Sequence, residues 1–110
     1  MRSLLTLLAL VGCAPWTKQD TALELAFIST AAIDLRQTVD ITKNCDEVNP
    51  MIGKCGDVVP PFAYFPIAMV VHAAVAAALP RPWRTVFQSF TVGLEVSTIA
   101  SNHEGGYEIL

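Results

Sequence analysis

Phe62–Leu79, FAYFPIAMVVHAAVAAAL, is the longest apolar run in the chain, and His72 is its one strongly polar side chain. As a helix at 1.5 Å per residue it extends roughly 27 Å, about the thickness of a bilayer's hydrocarbon core. Much of the run is alanine, which is only weakly apolar, and Pro66 falls inside it. Length therefore suits a membrane span, and composition also suits the central helix of a packed helical unit. The residues on either side decide between these readings.

Downstream, Pro80-Arg81-Pro82-Trp83-Arg84 is a tight turn whose arginines and tryptophan suit a membrane interface. Trp83–Asn102 then predicts a helix with two stripes. Arg84, Gln88, Thr91, Glu95, Thr98 and Asn102 recur at spacings of four and three and make a polar face. Ser89, Gly93, Ser97 and Ser101 repeat every four residues on roughly the opposite side. Ala73 and Ala77, with Ala74 and Ala78, give the apolar run matching small faces, so close packing of these two helices is expected. His72 is expected to reach Glu95 or Asp34 across that contact.

Upstream, Asn44–Pro61, NCDEVNPMIGKCGDVVPP, carries turn-forming residues and no sustained period, so it reads as a loop. Before it, Thr21–Ile41 reads as a helix with Asp20 as N-cap and Asn44 as its stop. Ala22, Ala26 and Thr30 recur at four-residue steps, and the series continues into Asp34 and Thr38. The expected fold is all-α: three helices at about 21–42, 62–79 and 83–102, the last two forming a membrane hairpin.

The N-terminus, MRSLLTLLALVGC, has one basic residue, Arg2, and a short apolar run from Leu4 to Val11. Leu10-Val11-Gly12-Cys13 resembles the lipobox of bacterial lipoproteins. That resemblance implies a signal peptide over residues 1–12 and a diacylated (palmitate-type) Cys13 at the mature N-terminus. It also implies a membrane-anchored place on the periplasmic or external side of the envelope. Residues 13–20 then serve as a tether, 21–103 as the helical membrane-associated domain and 104–110 as a flexible tail. With Cys13 taken by lipid, Cys45 and Cys55 remain, and export puts them where disulfides persist. A second resemblance rests on Asp34-x₃-Thr38 followed by Glu47-x-Asn49-Pro50. It is similar to small multi-helix membrane proteins of uncharacterised function, and it implies a helical membrane fold and no activity.

Topology offers three arrangements. If all three helices cross after an exported Cys13, the cysteine loop is cytoplasmic and the two arginines of the turn face outside. If only the last two helices cross, the loop is periplasmic and the turn cytoplasmic, in accord with both the positive-inside rule and a disulfide. The third arrangement is a lipid-anchored periplasmic domain that crosses nothing. The second is preferred.

Composition excludes some functions. The net charge is −3, so there is no electrostatic footprint for nucleic acid. Charged residues are 15% of the chain against about 25% in soluble domains, which favours membrane association. There is no G-x-S-x-G, H-E-x-x-H or phosphate loop, so no enzyme is expected, nor any metal or cofactor. The leading expectation is a small envelope lipoprotein acting through helix–helix contacts, with membrane lipid and an integral membrane protein or a second copy as partners. A transport or ion-pathway role through Asp34, His72 and Glu95 is the alternative, and the size also suits a phage-encoded envelope-modifying lipoprotein.

Overall fold

A computed structural model describes residues 15–109, which form three α-helices and no strands. Helix α1 is Lys18–Lys43, α2 is Pro61–Ala78 and α3 is Arg81–Glu104. The lipobox and Cys13 lie outside the described residues.

Each helix boundary follows local chemistry. Thr17, not Asp20, is the N-cap of α1. Its hydroxyl accepts from the Asp20 backbone N–H at 3.1 Å, and the Asp20 carboxylate accepts from the Thr17 N–H at 3.0 Å, a reciprocal capping box. The helix therefore starts three residues earlier than Thr21, inside the expected tether. Helices α2 and α3 begin with Pro in the first turn, where a missing N–H does no harm. Asn44 closes α1 as expected.

Cys45 and Cys55 are bonded, with Sγ atoms 2.07 Å apart. The loop they close also hydrogen-bonds across itself, from the Glu47 N–H to the Lys54 carbonyl at 3.2 Å. Its Ile52 is 1% exposed and joins Phe27, Ala31 and Phe65 in the small apolar core. Gly53 has φ +83°, and a side chain there would run into Asp57, so glycine is required. The tail is not free: Tyr107 donates to the Asp46 carboxylate at 3.0 Å, and Arg36 donates to the Glu108 carbonyl at 3.0 Å.

The helices do not pair as the small-residue stripes predicted. Helix α1 packs most extensively on α3, and α2 and α3 touch least. Ser89, Gly93 and Ser97 are exposed, and a Cβ built on Gly93 meets nothing within 4 Å. Ala73 and Ala77 are half-buried. The reason lies on the other face of α3. Its polar stripe needs hydrogen-bond partners, and α1 supplies them from Asp20, Glu24, Asp34 and Gln37. Three of these lie on its buried face of Asp20, Glu24, Phe27, Ala31, Asp34, Thr38 and Ile41, which has the same alternating spacing of four and three. Turning that stripe inward turns the serines and Gly93 outward.

The disulfide closes a ten-residue separation, so reducing it frees chain entropy in the unfolded state. The Cys45→Ser/Cys55→Ser double variant should lose roughly 2–3 kcal/mol against unfolding, and dithiothreitol should lower the wild-type melting temperature similarly.

Candidate functional site

The polar side chains of the bundle interior form successive layers between α1 and α3. The first layer lies beside the α2–α3 turn. Arg84 is 0% exposed and Asp20 3%, and their side chains meet at 3.1 Å. The same guanidinium donates to the Ala76 carbonyl at 2.7 Å and the Ala77 carbonyl at 3.2 Å, in the last turn of α2, where carbonyls lack the usual helical N–H four residues on. Trp16 lies over it, 5.3 Å from ring centre to Cζ. One residue therefore ties all three helices together. Its place in the sequence, just past a Pro-Arg-Pro turn, suggested an interface arginine instead.

The second layer centres on His72. Its Nδ1 lies 3.0 and 2.9 Å from the two oxygens of Glu24, and its Nε2 lies 2.6 Å from the Thr91 hydroxyl. The Thr91 hydroxyl in turn donates to the Phe87 carbonyl at 2.9 Å. Nδ1 thus faces the Glu24 carboxylate and Nε2 the Thr91 hydroxyl, so both ring nitrogens are engaged inside the bundle. Phe27 stacks on one face of the ring at 3.5 Å and Phe87 on the other at 4.5 Å. Gln88 donates to the Asp20 carbonyl at 3.1 Å and to Glu24 at 3.2 Å. The expected partners of His72, Glu95 and Asp34, are not the observed ones. Glu24, which reads in the sequence only as an early helical acid, takes that place.

The third layer is different. Asp34 on α1 and Glu95 on α3 face each other at hydrogen-bonding range. Thr38 donates to Asp34 Oδ1 at 3.1 Å, while Glu95 Oε2 is buried and receives no N–H or O–H donor from the described residues. The pair borders a cavity of about 280 Å³. Its outer wall comes from the disulfide loop through Glu47, Val48, Asn49 and Ile52, and Tyr64 and Phe65 of α2 close another side. Asp34, Thr38, Glu47 and Asn49, four of the residues carrying the second family resemblance, thus converge on one cavity. Sequence spacing could not place Glu95 or Tyr64 there, because both come from other helices.

A fourth layer has Gln37 donating to the Ile99 carbonyl at 3.2 Å and accepting from Asn102 at 3.1 Å. Of the three residues expected to converge, the structure brings Asp34 and Glu95 together and commits His72 to Glu24. Among the described residues, no group of three His, Cys, Asp or Glu side chains is arranged to hold a metal ion. No family model, curated protein or solved structure matches this chain.

Removing Arg84 would leave Asp20 as an uncompensated buried charge. Arg84→Met should therefore destabilise the protein by about 3–5 kcal/mol, and Asp20→Asn in the same chain should recover part of that loss. A double-mutant cycle on unfolding free energy measures the coupling.

Proposed function

We propose that this chain is a small membrane-embedded envelope protein whose three helices all lie in the bilayer and whose role is structural, through contacts of its outer surface with lipid and other helices. The observation that carries this reading is the inversion of polarity. Asp20, Glu24, Asp34, Gln37, His72, Arg84 and Gln88 are buried. Leu25, Ile67, Val70, Val71, Val86, Phe90 and Leu94 are exposed, Val70 by 70% and Phe90 by 64%. In water this arrangement forfeits the hydrophobic driving force, and in lipid it satisfies both surfaces.

The dimensions agree. No charged side chain is exposed on α1 between Lys18 and Arg36, on α3 between Arg81 and His103, or anywhere on α2. At 1.5 Å per residue these lengths are roughly 25–33 Å, which brackets the bilayer's hydrocarbon core. Exposed serines and threonines within the belt are inexpensive in lipid where their hydroxyls bond helix carbonyls, as Thr98 does with Leu94 at 2.9 Å. Among the described residues, α2 alone is a helix long and apolar enough by composition to cross a membrane. The acids and bases of α1 and α3 hide their lipid-facing sides from that measure, because those charged groups point inward.

The bundle also bears on the topology expected from sequence. Asp20 meets Arg84 at one end and Gln37 meets Asn102 near the other, so α1 runs beside α3 over most of its length. A hairpin of α2 and α3 in lipid with α1 outside would break these contacts, which favours a common entry. All three enter together, with the α2–α3 turn and the disulfide loop at opposite faces. The disulfide favours the oxidising side for its loop. Pro15 accepts from Arg81 at 2.9 Å, so the described chain enters at the turn's end. The lipid anchor that the lipobox resemblance implies precedes that entry point in the chain. An outer membrane, with a non-reducing compartment on each side, accommodates both features, whereas the inner membrane would put the disulfide loop in the cytoplasm.

Val70→Lys separates the membrane reading from a water-exposed bundle. In lipid the substitution should cost about 2.5–3.5 kcal/mol and deplete the protein from carbonate-washed membranes. At an exposed site in water it should change stability by less than about 0.5 kcal/mol, and that outcome would sink the proposal.

A further inference from the structure

We propose that the cavity between α1, α3 and the disulfide loop is a binding site for a small organic cation, an alkylammonium-type ligand held by Asp34 and Glu95. The inference goes beyond the membrane reading, since the cavity belongs to the bundle in any surroundings.

Charge pairing inside the bundle is the first observation. Asp20 is paired with Arg84 at 3.1 Å, and Glu24 is hydrogen-bonded by His72 at 2.9 Å and Gln88 at 3.2 Å. Asp34 has Thr38 and Glu95 beside it but no cation, and no Lys, Arg or His is among the residues lining the cavity of the carboxyl pair. Asp34 is 7% exposed, and two carboxylates at hydrogen-bonding range in such an interior cannot both be ionised without a counter-charge. A proton shared between them meets that need in the absence of other cations. A bound ammonium meets it better, because its several N–H groups can serve both carboxyls at once, including Glu95 Oε2, which receives no N–H or O–H from other described side chains or backbone.

The second observation is the shape and chemistry of the space. At about 280 Å³ it has room for on the order of nine waters, or for a compact amine and its alkyl part. Tyr64 and Phe65 offer aromatic surface to a cation's alkyl groups. Glu47 lies at the loop wall, and its Oε1 is already engaged with the backbone N–H groups of Val48 and Asn49 at 3.1 and 2.9 Å. It therefore adds negative potential at the rim more than a direct ligand. A bare metal ion is served less well, since among the described residues no three His, Cys, Asp or Glu side chains approach closely enough to form a ligand set.

Binding then exchanges a proton for an ammonium. The groups facing the pair are Asp34 from α1, Glu95 and Thr98 from α3, Tyr64 from α2 and Glu47 from the loop. The carboxyl pair releases the proton, so about one proton should leave per amine bound, and affinity should rise with pH while the pair is protonated in the free protein.

The test is calorimetric titration of the full chain in detergent micelles with propylammonium and tetramethylammonium, using n-propanol as the uncharged control and calcium chloride as the metal probe. The proposal expects saturable one-to-one binding of at least one amine and a heat that varies with buffer ionisation enthalpy. Affinity should fall at least roughly tenfold in Glu95→Gln and Asp34→Asn and stay unchanged in the surface variant Asp40→Asn. Should the carboxyl variants not fold, wild-type protein carries the test: the amine should protect Asp34 and Glu95 from dicyclohexylcarbodiimide, read by peptide mass. Three results would overturn the inference: no saturable amine binding by folded protein, equal binding of propanol, or calcium bound more tightly than either amine. None of these disturbs the apolar belt, which the Val70→Lys measurement addresses separately.

Discussion

Arg84 is the interaction on which the rest of the structure depends. Its guanidinium joins the first turn of α1 through Asp20, closes the last turn of α2 through two carbonyls, and belongs itself to the first turn of α3. A buried ion pair is weak evidence of net stability, because desolvation offsets much of the attraction. Its effect is on arrangement. A charge with no route to water accepts few positions, and this one sets the register of α3 against α1. Once Asp20 meets Arg84, Glu24 comes level with Gln88, and further along Asp34 comes level with Glu95.

That register explains why the outer surface is so apolar. Both α1 and α3 direct their polar stripes at each other, which leaves leucine, valine, phenylalanine and small residues to face outward. The conventional apolar core is correspondingly small: Phe27, Ala31, Ile52 and Phe65, with one member contributed by the disulfide loop. A bundle so organised is held together by polar contacts, which are strongest where water is excluded. The same exclusion makes the Asp34–Glu95 layer the chemically uneven point, because its two carboxyl groups meet with no Lys, Arg or His lining the cavity beside them.

The expectations that survived were those carried by short-range chemistry. Three helices, the asparagine stop at Asn44, the loop with its bonded cysteines and the polar stripe of α3 were all legible from residue type and spacing. The buried face of α1 was not. Its repeat mixes Asp, Glu and Thr with Phe, Ala and Ile, so a search for apolar periodicity passes over it and settles on Ala22, Ala26 and Thr30 instead. The small-residue stripe of α3 misled for a related reason. Small residues permit a close approach, but they supply no energy that competes with satisfying Arg84, Gln88 and Glu95.

From sequence alone it follows that this chain folds into helices broken by a Pro-Pro loop end and a Pro-Arg-Pro turn, since proline and backbone propensity act within a few residues. Which faces meet is a different kind of fact. The pairing of α1 with α3, the capture of His72 by Glu24 and the convergence of Asp34, Glu47 and Glu95 on one cavity join residues tens of positions apart. Hydrogen-bond satisfaction across the whole buried interior selects them, and no local window contains that sum.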